Sequence, residues 1–340
     1  MERREETHAL YDKRRKKMKK TIFLILILIL AFGGLTACGA TKTKAGEKTH
    51  IVVTIAPVYD WVMNVLGDNP GGADVTLLLD KGVDLHSFQP SAADIMKVSS
   101  CDLFIYVGGE SDVWVDDVLK EAVNKEMTVI NLLEDLGDKA KEEELVEGMQ
   151  GEEEEDEEEE GPEYDEHVWL SLSNAELFVK KIAEAVCALD PADSAYYKEK
   201  ASAYTTELEA LDGEYREAVK NAAVSTLLFG DRFPFRYLTD DYGLSYYAAF
   251  IGCSAETEAS FETIAFLSKK VDELGLKSVM TIDGSDKKIA ETIVKNTKSK
   301  DQKVLTLDSM QKLTSKDIKN GKHYISIMRD NLSVLKEALK

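Results

Sequence analysis

The chain has 340 residues, 44% of them hydrophobic, and a formal net charge of −21 at pH 7. This length is enough for two lobes of ordinary domain size, each with its own hydrophobic core. The acidic balance argues against a nucleic-acid partner, because neutralising phosphates requires a basic face, and it favours cations as ligands.

The first predicted element is a secretory signal peptide at residues 1–37. A basic cluster within residues 13–20 is followed by an apolar run at residues 22–32. This run is too short to span a bilayer comfortably, since a spanning helix needs about 20 residues. A basic segment, a short apolar run and small residues after it are typical of a cleaved signal.

The signal ends in Leu35-Thr36-Ala37-Cys38, which resembles the lipobox of bacterial lipoproteins. Cys38 is therefore predicted to carry the lipid, with residues 38–50 as a lipid-anchored linker and the protein held outside the cytoplasm on the cell membrane. Cleavage removes nine Lys/Arg and four Asp/Glu, which makes the net charge of the remainder about −26 at pH 7. Translation starts at either Met1 or Met18, because the second also opens a signal of ordinary form.

From Ile51 onward one pattern repeats: a short apolar run, a turn with Gly, Pro or Asp, and a segment with helical spacing. This alternation predicts an α/β fold of two βα lobes, each with a four-stranded, mostly parallel sheet. The predicted strands are 51–55, 75–79, 103–107 and 128–132 in the first lobe, and 225–229, 245–250, 278–282 and 304–307 in the second. Because open α/β sheets bind ligands at the carboxyl ends of their strands, we expect the site in a cleft between the lobes.

The segment between the two sets of predicted strands has the spacing of apolar residues that is typical of helices. One helix is predicted at 174–189, and after Asp190-Pro191 a long helix continues from 192 to about 222. The predicted domains are an N-terminal lobe at 51–190, a connecting helix at 191–222 and a C-terminal lobe at 223–340. A rigid helical connection would limit the lobes to small hinge motions.

The N-terminal lobe contains an acidic loop at 139–166, with an unbroken acidic run from Glu152 to Glu160. Like charges repel one another, which predicts a mobile loop. Two interpretations stay open: a low-affinity collector of cations, or a solvated surface insertion.

Only four histidines follow the predicted signal peptide, so each is a candidate metal ligand. His86 follows the second predicted strand, and His167 follows the acidic loop. Two neutral imidazoles suit zinc, manganese, iron or nickel, and carboxylates at strand ends, such as Asp231 and Asp308, would then complete the shell. No short motif links these positions. The other two histidines, His50 and His323, are interpreted as surface or packing residues.

Three cysteines remain beyond Cys38: Cys101, Cys187 and Cys253. They are widely spaced and form no CxxC pair, which indicates neither a zinc–thiolate site nor a disulfide framework. We expect all three to be small buried hydrophobic residues, with at most one disulfide between them.

From Ile51 to the C-terminus, the chain resembles the metal-binding lipoproteins of ABC importers, the cluster A-I solute-binding proteins specific for zinc or manganese. The strings that carry this resemblance include VVTIAPVYDWV, GVDLHSFQPSAADI, YDEHVWLSLSNAE, FRYLTDDYGLSYYAAF and GKHYISIMRDNLSVLKEAL. The resemblance implies two βα lobes joined by one long helix, in agreement with the pattern of elements.

The resemblance also implies a ligand set. The first two family ligands match His86 and His167, and the fourth matches Asp308. The third falls in GDRFPFRYL, where counting back from Tyr237 gives Arg232, which stays protonated and cannot bind a cation. Asp231 is the nearest carboxylate and is predicted to replace it.

The aspartate at position 283 is a candidate for orienting a ligand histidine through a hydrogen bond. Two imidazoles and two carboxylates admit zinc, manganese or iron, and the Irving–Williams order favours zinc over manganese.

The resemblance implies a monomeric, non-catalytic lipoprotein that binds zinc and delivers it to an ABC permease in the membrane. A manganese or iron carrier of the same importer type is the first alternative. A zinc-dependent hydrolase with Glu166 as its general base is less well supported. An adhesin or interaction protein is a third alternative, for which the sequence offers no specific surface.

Overall fold

The computed structural model describes residues 48–151, 163–254 and 258–340. The predicted signal peptide, Cys38, most of the linker and the acidic run at 152–160 lie outside these residues. Within them, no helix combines the length and apolar character needed to cross a membrane.

Two four-stranded sheets form the framework, and every strand pairing given for them is parallel. The first sheet has the order β2-β1-β3-β4, with β1 His50–Val53, β2 Asp74–Leu77, β3 Leu103–Tyr106 and β4 Thr128–Asn131. The second has the order β6-β5-β7-β8, with β5 Thr226–Phe233, β6 Ser245–Ile251, β7 Ser278–Ile282 and β8 Lys303–Leu307. The predicted α/β class with two parallel four-stranded sheets is confirmed.

The apolar strand sequences agree with the burial expected in a parallel sheet. All four residues of β3 and all five of β7 are buried, as expected for inner strands covered by helices on both faces. The helices in the first half are α1 Ala56–Leu66, α2 Ala92–Ser100, α3 Trp114–Lys120 and α4 Leu132–Leu136. Those after β5 are α7 Arg236–Tyr242, α8 Phe261–Leu274, α9 Lys288–Asn296, α10 Ser315–Lys319 and α11 Tyr324–Ala338.

Two helices run between the sheets in sequence: α5 Leu172–Leu189 and α6 Ser194–Lys220. They are separated by a 3₁₀ turn at Pro191–Asp193, so α6 begins slightly later than predicted. Its 27 residues make α6 about 40 Å long. Because α6 packs against α1 in the first half and α11 in the second, it bridges both lobes. The exact domain boundaries at 190 and 222 stay predictions.

A buried carboxylate ties these helices together. Asp60 in α1 is 1% exposed and accepts hydrogen bonds from Tyr324 N (3.1 Å), Tyr204 Oη (3.3 Å) and His323 Nδ1 (3.2 Å). These donors belong to α11, α6 and the N-cap of α11. His323 is thus a partly exposed packing residue, whereas His50 lies exposed at the start of β1, near Asp74.

Candidate metal centre

His86 lies in a 3₁₀ turn, Leu85–Ser87, that follows β2. Asp84 caps this turn by accepting a hydrogen bond from His86 N (3.2 Å). The ring Nδ1 is 3.0 Å from Ser111 Oγ and 3.3 Å from Glu166 Oε2. Two acceptors on this side favour the tautomer with a proton on Nδ1, which leaves the lone pair on Nε2.

His167 follows the acidic loop and is completely buried. Asp165 Oδ1 accepts hydrogen bonds from both His167 N (2.8 Å) and His167 Nδ1 (3.0 Å). Tyr237 of α7 holds this segment from the other side, because its hydroxyl donates to Asp165 O (3.0 Å). The carboxylate assigns the proton to Nδ1, so the lone pair of His167 is also on Nε2.

The two Nε2 atoms face each other at 3.2 Å. Two nitrogens bound to one tetrahedral zinc ion at about 2.0–2.1 Å would be about 3.3 Å apart, so this distance already suits a shared cation. Gln311 lies at the same point, with its Nε2 2.8 Å from His167 Nε2 and 3.4 Å from His86 Nε2. Two imidazole lone pairs and one side-chain amide therefore converge on one position.

A cysteine lies beside the two histidines. One ligand atom from each of His86, His167 and Cys253 lies within 4.8 Å of the other two. The backbone of Gly252 lies close to the His167 ring, since a Cβ on Gly252 would be 3.0 Å from His167 Cε1. Glu143 Oε1 accepts a hydrogen bond from Cys253 N (3.2 Å). The three cysteines of the described chain, Cys101, Cys187 and Cys253, are all free thiols.

Carboxylates surround this cluster. Burial alone would raise the pKa of Glu166, but hydrogen bonds from His86 and Ser111 outweigh it and hold the pKa below its usual value. Burial raises the pKa of Glu143 to about 7. Burial also raises the pKa of the Cys253 thiol, and the negative charges of Glu143 and Asp165 raise it further.

The structure brings together only two of the four predicted ligands. Asp231 lies inside β5, which runs past its predicted end at Phe229 and shifts register between Phe229 and Arg232. Its carboxylate accepts from Arg232 N (3.0 Å) and lies 3.4 Å from Ile282 N. It is therefore not part of the group that His86, His167 and Cys253 form among the described residues.

The aspartate at 308 is also outside that group. It follows β8 as predicted, but Asp308 Oδ1 accepts from Met310 N (2.8 Å) and Oδ2 pairs with Lys322 Nζ (2.8 Å). Asp283, our candidate for orienting a histidine, instead accepts from Ser309 N (2.6 Å) and Oγ (2.7 Å). Asp165 and Glu166 occupy the orienting positions in its place.

A cavity of about 380 Å³ opens beside the cluster. Residues from both halves line it, which places the predicted cleft between the lobes. Arg232, the residue at the family's third ligand position, forms an ion pair across it with Asp84 (2.7 Å). The lining also includes Asp231, Asp283 and Gln311.

Gln311, Cys253 and Asp165 were not among the predicted site residues. One signal was present: Asp165-Glu166-His167 places two carboxylates directly beside a predicted ligand. Cys253 also follows a strand, two residues after β6, but its sequence context predicted only a small buried hydrophobic residue.

The sequence profile of the family described as the periplasmic zinc-uptake complex component A, ZnuA, matches residues 51–338. The zinc-binding protein AdcA of Streptococcus pyogenes serotype M3 is 30% identical over 325 residues, which is 94% of this chain and 61% of that protein. The chain thus spans less than two thirds of that relative. The high-affinity zinc uptake system protein ZnuA of Bacillus subtilis is 29% identical over 323 residues, 93% of this chain and 97% of that protein.

Solved structures share the fold. The Zn(II)-bound ZnuA-like domain of Streptococcus pneumoniae AdcA has a TM-score of 0.67 and 29% identity, and covers 86% of this chain and 99% of its own. The sequence comparison and the structure comparison therefore both show similarity to zinc-binding proteins.

Proposed function

The chain belongs to the zinc-uptake complex component A family, and on this premise we propose that it captures a divalent transition-metal ion outside the cytoplasm and delivers it to an ABC permease. Zinc is the proposed cargo, with manganese or iron as the alternative. His86 and His167 are the proposed ligands. The predicted ligand roles of Asp231 and Asp308 are not carried into this proposal.

The main support for a metal-binding function is the 3.2 Å separation between the Nε2 atoms of His86 and His167. Both lone pairs point at one position, because acceptors on the far side of each ring take the Nδ1 proton. Facing lone pairs repel each other unless a donor or a cation lies between them, and in this structure the Gln311 amide is within reach of both. This arrangement supports binding of a cation that accepts nitrogen ligands.

Zinc is favoured over manganese by the chemistry of the donors. Imidazole suits zinc, whereas manganese prefers carboxylate, carbonyl and water oxygens. The carboxylates closest to the histidines, Asp165 and Glu166, engage Nδ1 rather than the position between the Nε2 atoms. They therefore supply negative charge and orientation, not the main ligands.

A non-catalytic role is supported by the position of Glu166. A zinc hydrolase needs an open coordination position and a general base beside the bound water. Both oxygens of Glu166 are engaged by Ser111, and Oε2 also faces His86 Nδ1, on the side of the ring away from Nε2. The residue that we considered as a base is thus held in an orienting role.

Membrane attachment and delivery complete the proposal. A lipid on Cys38 would hold the protein at the outer face of the cell membrane, where it meets the permease as a monomer. The interlobe cleft must then release the ion, and the permease would supply the force that separates the ligands.

We expect Glu166→Gln to weaken zinc binding by about 10- to 100-fold, as is usual when the group that orients a ligand histidine is lost. Glutamine keeps the shape but removes the charge that faces His86 Nδ1. Competition against a zinc chelator of known affinity measures the change. The matched control is Glu163→Gln, because Glu163 is exposed; an affinity equal to wild type in both variants would contradict the orienting role.

Delivery is tested in the cells that produce the protein. With the chromosomal gene changed to carry His86→Ala and His167→Ala, we expect cells under zinc limitation to contain less zinc, measured by mass spectrometry. His50→Ala, on the exposed histidine, should leave zinc content unchanged. A loss of manganese instead of zinc would reassign the cargo.

A further inference from the structure

The side chain that most changes the chemistry of the cluster is Cys253. We propose that the Cys253 thiol releases its proton to solvent when the ion binds and coordinates it as a thiolate, the third ligand, which selects zinc and similar thiophilic ions over manganese. This inference rests on the proposed function and specifies the ligand set and selectivity of the same site.

Distance supports direct coordination. The ligand atoms of Cys253, His86 and His167 all lie within 4.8 Å of one another. In a tetrahedral zinc site with bonds of about 2.0–2.1 Å to nitrogen and 2.3 Å to sulfur, neighbouring nitrogen and sulfur ligands are about 3.6 Å apart. Movements on the order of 1 Å within side chains would therefore bring all three into contact with one ion.

The fold positions Cys253 for this contact. Cys253 follows β6 directly after Gly252, at the carboxyl end of the strand, where open α/β sheets bind ligands. Gly252 allows this loop to lie against His167, since any Cβ would be 3.0 Å from the ring. The hydrogen bond from Cys253 N to Glu143 then fixes the loop. A larger residue at position 252 would push the thiol away from the imidazole.

The surroundings favour a dication there. Three carboxylates, Glu143, Asp165 and Glu166, act electrostatically on Cys253. Among the residues that the structure describes, Glu143 Oε2 is buried without a hydrogen-bond partner, so any negative charge on Glu143 is only partly compensated. A divalent cation between the thiol and the imidazoles would compensate it.

Gln311 supplies a fourth donor. Its amide nitrogen lies 2.8 Å from His167 Nε2, and a half-turn of the amide places the carbonyl oxygen there instead. Two nitrogens, one sulfur and one oxygen make a closed four-coordinate shell. Soft thiolate ligands favour zinc, whereas manganese favours oxygen ligands. We therefore expect the thiol to determine which ion is retained.

The test uses Co²⁺ alone as the probe, with the soluble protein beginning at Gly39 and stripped of metal by a chelator. Co²⁺ bound to a thiolate gives a sulfur-to-cobalt charge-transfer band in the near ultraviolet, which imidazole and carboxylate ligands do not produce. We expect the band in the wild-type protein and in Cys187→Ser. The Cys187 thiol of the wild-type protein contacts Ser194 O, away from the cluster. Cys253→Ser should lose the band while still binding Co²⁺.

Affinity gives the second readout. Cys253→Ser should weaken zinc binding more than about tenfold, and manganese binding much less. Saturable Co²⁺ binding by wild type without the charge-transfer band would overturn the thiolate ligand and leave the proposed function intact. No saturable Co²⁺ or zinc binding by wild type would overturn both. The wild-type spectrum decides the first point even if Cys253→Ser fails to fold.

Discussion

Replacing His167 by alanine is expected to weaken zinc binding by more than about 100-fold, beyond the usual loss when only an orienting group is removed. His167 is completely buried and contributes one of the two nitrogens that face each other at 3.2 Å. Alanine removes that nitrogen. The substitution also removes the His167 Nδ1 donor from the buried Asp165, so the Asp165 carboxylate no longer orients a ligand.

The measurement is a competition titration of zinc against a chelator of known affinity, with metal-stripped protein beginning at Gly39. His50→Ala is the matched control, because His50 is exposed at the start of β1 and pairs only weakly with Asp74 at 3.7 Å. Thermal unfolding without metal separates a lost ligand from a damaged fold. An affinity within about threefold of wild type, in a folded His167→Ala protein, would show that the ion binds elsewhere.

Replacing Asp60 by alanine is expected to lower the free energy of unfolding by about 3 kcal/mol, because buried donors would be left without acceptors. Tyr324 N and Tyr204 Oη both donate to Asp60 Oδ2, and these groups lie in α11 and α6. Burial raises the pKa of Asp60, while hydrogen bonds from Tyr324 and His323 oppose that rise. These hydrogen bonds thus offset part of the cost of burying the carboxyl group.

Urea unfolding of the metal-free protein, followed by circular dichroism, measures this effect. Asp74→Ala is the control: its exposed side chain at β2 should change stability by no more than about 0.5 kcal/mol. If Asp60→Ala and Asp74→Ala unfold at the same urea concentration, Asp60 does not hold the helices together.

Much of the fold could be predicted from the sequence because its periodic signals are strong. Buried parallel strands read as short apolar runs, and all four residues of β3 and all five of β7 are indeed buried. The break at Asp190-Pro191 separated α5 from α6, because proline cannot continue the preceding helix. The predicted end of β5 was wrong, since a register shift after Phe229 leaves no mark in an apolar pattern.

The site was predicted only in part. The strand-end rule pointed to His86, the family resemblance pointed to both His86 and His167, and the structure places these residues together. Asp231 lies within β5 and outside the group of His86, His167 and Cys253, because β5 continues past its predicted end. Asp308 is at the expected strand end, but strand position does not show that Lys322 and the backbone of Met310 already hold its carboxylate.

Cys253 could not be recognised from spacing alone. It lies 167 residues from His86 and 86 from His167 in sequence, and only the close approach of Gly252 to the His167 ring brings them together. Gln311 could not be recognised from spacing either. It lies in the loop after β8, and its amide contacts both imidazoles. Such contacts depend on how the two lobes meet, which no local pattern encodes.

We propose that His86 and His167 hold the captured ion, and anomalous diffraction at the zinc absorption edge, from crystals of the zinc-loaded protein, would locate that ion. We expect one dominant peak about 2.0–2.1 Å from both Nε2 atoms. A dominant peak away from both imidazoles, such as one between Asp231 and Asp283, would contradict it.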